Sequence, residues 1–138
     1  MEQVVTISAA HQAQIEELGI TALYLFGSRA TGHATARSDY DYAVLLPQTG
    51  HARGDELYQS LYEILTECSP RTLQNDVIDI VFLRDAPLEL QCHVIRYGLL
   101  LLDTEPSPRL RFETETLLRY CDYRPILDQF DRTILQSL

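Results

Sequence analysis

Residues 20–46 read ITALYLFGSRATGHATARSDYDYAVLL. The stretch from Ile20 to Phe26 is rich in strand formers and stops at Gly27-Ser28, and DYDYAVLL at 39–46 then opens a second strand with two carboxylates. Side chains alternate across a strand, so Asp39 and Asp41 share one face while Tyr40 and Tyr42 share the other. Like charges this close are costly unless a cation lies between them. An all-oxygen donor set suits magnesium or manganese rather than zinc. The same two acids could also decorate a solvated strand edge, so the rest of the chain has to decide. Gly27 permits close backbone approach, and Ser28 offers a hydroxyl and an amide where a helix begins, a suitable place for phosphate oxygens.

Working outward, Ser8 can cap a helix running to about Leu18, with Gly19 as its stop. Beyond the second strand, Pro47, Gly50 and Gly54 mark a loop. Leu57, Leu61, Ile64, Leu65 and Cys68 then follow helical spacing from Asp55 until Pro70 forbids continuation. DVIDIVFL at 76–83 is a third strand, apolar on both faces, which predicts a central strand covered on both sides. Within it Asp79 shares a face with Val77, Val81 and Leu83, while Ile78, Ile80 and Phe82 fill the other. Burying that carboxylate unpaired costs several kcal/mol. Either Arg29 or Arg37 neutralises it, or a metal shared with Asp39 and Asp41 accounts for all three acids. Asp76, at the polar start of the strand, reads as a solvated residue or cap.

Asp85 and Pro87 open a short helix that Gly98 can close, and LLLLD at 99–103 reads as a fourth strand. Pro106 and Pro108 separate the rest. The tail from about Phe112 to Leu138 is helical, broken or bent near Pro125, with Leu127, Phe130 and Ile134 on one stripe. It is expected to fold back over the sheet or to present a groove to a partner.

The chain has 138 residues, 46% of them hydrophobic, enough for one packed domain. Its net charge of −9 opposes nucleic acid and anionic membrane as main partners, and favours a basic protein surface. Every basic residue is an arginine, which removes any P-loop or Schiff-base lysine. Cys68, Cys92 and Cys121 are odd in number and form no CxxC, so reduced thiols are expected. The N-terminal stretch has no leader pattern and no run reaches the length of a membrane span, so the chain reads as cytoplasmic. His11, His33, His51 and His93 show no paired spacing, and Tyr120 or Tyr123 could belong to an interface.

Gly-Ser at the end of a strand, ten intervening residues, a DxD strand and a later acidic strand form an ordered set. That set resembles the nucleotidyltransferase superfamily related to DNA polymerase beta, in particular its minimal nucleotidyltransferases and their MntA-type antitoxins, over roughly residues 20–103. Asp79 through Leu83, Arg84, Asp85, Ala86 and Pro87 looks like that family's third strand and following helix, with Phe82 standing where members often carry a further acid. The resemblance implies an α/β nucleotidyltransferase fold: a small mixed sheet of about four strands packed with helices, and a C-terminal helical segment. The corresponding division is a core at 1–104 and an extension at 105–138, within the same domain or used for partner binding.

It further implies Mg²⁺-dependent transfer of AMP from ATP to a tyrosine of a HEPN-domain toxin, with pyrophosphate leaving, as the antitoxin of a type VII-like pair. On that reading Asp39, Asp41 and Asp79 are catalytic residues and hold two Mg²⁺ ions, or Mn²⁺ in their place, while Gly27, Ser28 and Arg29 bind the nucleotide. A hetero-oligomer with the toxin is the implied assembly. Neutralisation by stoichiometric occlusion, and transfer to a small hydroxylated molecule such as an aminoglycoside, are the competing readings.

Overall fold

The computed structural model describes residues 5–34, 39–69 and 78–136, from 123 onward as backbone only. Ser8 caps α1 (Ala9–Glu17) by accepting the His11 amide on its hydroxyl, and Gly19, at φ 81°, follows its end. The chain then enters β1 (Ala22–Phe26), makes the single turn α2 (Ser28–Thr31), and returns as β2 (Tyr40–Leu45). Asp55 caps α3 (Glu56–Cys68), accepting the Tyr58 amide at 2.8 Å. After β3 (Ile78–Phe82), a 3-10 turn at Leu83–Asp85 leads into α4 (Leu88–Tyr97), β4 (Leu99–Asp103) and α5 (Pro106–Gln136). Gly98 joins α4 to β4 where a side chain has no room: a Cβ there would stand 2.4 Å from the Val94 carbonyl oxygen.

The strands pair in the order β3-β2-β1-β4, with β1 antiparallel to β2 and β4 and β2 parallel to β3. This is the mixed four-stranded α/β sheet expected from the sequence. One expectation is corrected, because β3 is an edge strand and not a central one. Ile78, Ile80 and Phe82 are buried on one face, while Asp79 and Val81 on the other are only partly covered, and apolar composition does not say which edges are paired. The edge position also leaves the Asp79 side chain 40% exposed, so the buried, unpaired carboxylate inferred from the pattern is not what forms.

One face of the sheet packs Leu23, Leu25, Tyr40, Tyr42, Ile78 and Ile80 against Ile15 of α1 and Leu61 and Leu65 of α3. The other packs Ala22, Tyr24, Phe26, Ala43 and Leu45 against Val94 of α4 and Phe112 of α5. The alternation of DYDYAVLL therefore does what its period requires: tyrosines enter one core, and the acids lie on the opposite side.

The C-terminal helix starts earlier than its sequence suggests and runs on past Pro125. Pro106 and Pro108 occupy its first turn, where the missing amides have no intrahelical partner in any case, and the Glu105 carbonyl accepts the Arg109 amide as the first helical bond. A proline further along removes one bond, and the helix continues through it. Its first turns fold back over the sheet, as Phe112 and Thr116 are buried. Arg37, Pro70, Asp76 and Val77 lie outside the described residues, as do the side chains of Tyr123, Leu127, Phe130 and Ile134.

A small polar network ties α5 to the sheet. The Arg109 guanidinium meets Asp103 of β4 at 2.9 Å and Glu113 at 3.0 Å, and Glu113 also accepts the Tyr24 hydroxyl of β1 at 2.7 Å. Arg109 is 14% exposed, so removing it leaves two carboxylates short of their partner in a poorly solvated place. Arg109→Ala is expected to lower the unfolding free energy by about 3 kcal/mol, read as a shifted urea midpoint at unchanged slope. Arg109→Lys should recover only part of this, since an ammonium cannot serve both carboxylates in the planar fork geometry.

Candidate active site

Asp41 and Asp79 are register partners on the parallel pair β2–β3, so their side chains leave the same face of the sheet from adjacent strands. On the other side, Asp41 is paired with Phe26, the last residue of β1. Asp39 lies just before β2 and is exposed. The three acids thus gather at one end of the sheet, where β1 leaves and β2 and β3 enter. Burial first, then the negative charges of Asp79 and Asp39, push the Asp41 carboxyl up to about 6.

Gly27 fits against this carboxylate. Its backbone stands at φ 79° and ψ −157°, a region open essentially to glycine alone, and a Cβ at this position would lie 2.5 Å from Oδ2 of Asp41. The glycine is therefore required twice, by its own torsions and by the acid behind it. Its carbonyl accepts the amides of Ala30 and Thr31, which starts α2 at Ser28. The Arg29 guanidinium lies 4.3 Å over the ring of Tyr40, which belongs to the opposite core.

The partner that the sequence misses is Arg53. Asp79 pairs with Arg53 at 3.4 Å, and not with Arg29. Arg53 belongs to the loop between β2 and α3, and no spacing rule links residue 53 to residue 79. The Gly50 to Gly54 stretch marks the loop but not its destination. The histidines are engaged locally: His11 donates to Glu67 at 2.8 Å, His33 bonds Thr31 at 3.0 Å, and the His51 and His93 rings lie against Phe82 and Tyr97.

Among the described residues no three His, Cys, Asp or Glu side chains stand as a ready-made metal cage. What does suit a hard divalent cation is the donor chemistry: two carboxylates side by side in register and a third two residues along. Residues 10–107 match the family described as polymerase beta, nucleotidyltransferase.

The chain belongs to that nucleotidyltransferase family. Solved structures agree with the assignment. One chain of a toxin–antitoxin crystal structure with AMP-PNP is 28% identical at TM-score 0.59, over 86% of this nucleotidyltransferase and 97% of that chain. A mutant toxin–antitoxin complex of MntA gives 26% identity at TM-score 0.58, with 86% and 97% covered. A complex of a tri-AMPylated Shewanella oneidensis HEPN toxin with MNT antitoxin gives 26% at TM-score 0.51, with 88% and 96% covered. No curated protein matches the chain in sequence. No helix among the described residues is long and apolar enough to cross a membrane.

Proposed function

We propose that this nucleotidyltransferase is the antitoxin of a type VII-like toxin–antitoxin pair, acting in the cytoplasm, and that it silences a HEPN ribonuclease toxin by transferring AMP from ATP to a toxin tyrosine. The observation that carries the reading is the contact of Gly27 with Asp41, beside Asp79 in register on the next strand. Support for the partner comes from the MNT antitoxin complexes with HEPN toxin to which the chain is similar. A net charge of −9 suits a basic protein acceptor and opposes an RNA end.

In the reaction the tyrosine oxygen forms a bond to the α-phosphorus of ATP, the bond from that phosphorus to the bridging oxygen breaks, and pyrophosphate leaves. Asp79 takes the phenolic proton, which a hydroxyl titrating near pH 10 does not give up unaided at neutral pH. Asp39 and Asp41 hold the charge of the site on one face, and Asp79 faces them from the edge strand where an acceptor protein has access. Ser28 meets the terminal phosphate with Arg29 beside it, and Gly27 allows the backbone to come that close. Asp39, Asp41 and Asp79 are the residues that would hold Mg²⁺, and the ions when bound supply charge neutralisation for the leaving pyrophosphate and acidify the attacking hydroxyl.

Intact-mass measurement of a candidate HEPN-domain partner, after mixing with this chain, ATP and Mg²⁺, tests the reading. A gain of one or more AMP units that disappears with Asp39→Ala/Asp41→Ala is the expected result. An unmodified partner held in a tight complex would replace transfer by occlusion. No interaction at all would return the acceptor to a small hydroxylated molecule such as an aminoglycoside.

A further inference from the structure

Arg53 stands at the turn of a loop that is fastened on both sides. Upstream, the amides of Gly50 and His51 donate to the Asp85 carboxylate at 2.8 and 3.3 Å, and the His51 ring packs on Phe82. Downstream, Asp55 accepts the amides of Ala52 and Tyr58 and so caps α3. The backbone around Arg53 is thus held by side chains on either side of it, while its own side chain is 73% exposed, lies 6.0 Å over the Tyr58 ring and ends 3.4 Å from Asp79. An exposed pair of this length is weak. Through it a cation reaches the two-carboxylate face formed by Asp41 and Asp79.

We propose that Arg53 is a displaceable counter-ion that couples metal entry to nucleotide entry; the inference rests on the nucleotidyltransferase reading of the acids. In the nucleotide-free chain the guanidinium occupies Asp79 and competes with a free divalent cation for it. A triphosphate bound at Gly27 and Ser28 offers the guanidinium a more highly charged partner with fork-compatible oxygens, which draws it off the carboxylate and leaves Asp79 open. Because binding linkage is reciprocal, the same residue makes nucleotide favour the cation and the cation favour nucleotide. Arg53 is on this account a positioning residue, acting on the charge of the site and not on the reacting bond.

The test is calorimetric titration of the full-length chain with Mn²⁺, without nucleotide and with a saturating non-hydrolysable ATP analogue, in wild type, Arg53→Gln, Asp79→Asn and the double variant. Without nucleotide, Arg53→Gln is expected to bind Mn²⁺ roughly two- to five-fold more tightly than wild type, the range that an exposed ion pair spans. The factor by which the analogue improves Mn²⁺ affinity should fall by a similar amount. In the Asp79→Asn background the Arg53 substitution should change neither quantity. Equal or weaker Mn²⁺ binding by Arg53→Gln overturns the inference alone, as does a change that persists when Asp79 is already Asn. If wild type binds no Mn²⁺ even with the analogue present, the metal-site reading of the acids fails and this inference with it.

Discussion

Asp41→Asn is expected to lower nucleotidyl transfer by about 10³-fold or more while making the nucleotide-free chain more stable at neutral pH. Both effects come from one charge. The substitution removes a candidate metal ligand placed between Gly27 and Asp79, and activity depends on ligand geometry that an amide oxygen does not reproduce. The stability effect follows from the carboxyl pushed up to about 6, against 3.8 for the ordinary group. A raised acid binds its proton more tightly in the folded chain than in the unfolded one, so its ionisation penalises the native state. The penalty is absent below about pH 4, grows between there and pH 6, and is complete above. Asn carries no such penalty. Thermal melts at pH 7.5 should therefore show Asp41→Asn a few degrees above wild type, and at acid pH the two should converge. A variant that is destabilised at pH 7.5 would show that Asp41 is held by compensating contacts and not strained by burial and by its acidic neighbours.

Gly27→Ala should be the most damaging change that leaves every acid in place. The backbone torsions alone cost an alanine about 1–3 kcal/mol, and its methyl would meet Oδ2 of Asp41 at 2.5 Å. Relief requires moving either the carboxylate or the turn into α2, and both lie in the site. Activity is expected to fall by about 10²-fold, the scale of a displacement near 1 Å in a reacting constellation. Equilibrium unfolding of Gly27→Ala in the wild-type and Asp41→Ala backgrounds separates the two causes. With the carboxylate gone the steric part vanishes and the torsional part remains, so the two substitutions should not be additive. Additive effects would mean that the acid and the glycine do not press on one another.

Much of the site was legible along the chain because its parts are close in sequence. Gly27 and Ser28 end one strand and Asp39 and Asp41 begin its antiparallel neighbour, so a period of two and a strand-ending glycine were enough to put the acids on one face. Asp79 was legible as an acid in an apolar strand, but the reason attached to it was wrong. The pattern that reads as burial on both faces says nothing about which edges are paired, and β3 proves to be an edge strand with Asp79 partly exposed. Proline misled at the C-terminus for a related reason. Pro106 and Pro108 read as breakers but sit where a helix start has no use for their amides.

What the sequence by itself determined is whatever depends on local chemistry: the cap at Ser8, the alternation of DYDYAVLL, and the left-handed Gly19. Only the tertiary structure decided which strand lies beside which, and with it the register that sets Asp41 against Asp79, the Arg53 contact, and the hold of Arg109 on Asp103 and Glu113. Torsional preference and side-chain alternation act over a few residues and are written in their order. Ion pairing and strand pairing act through space between segments tens of residues apart, and exist only once hydrophobic burial has brought those segments together.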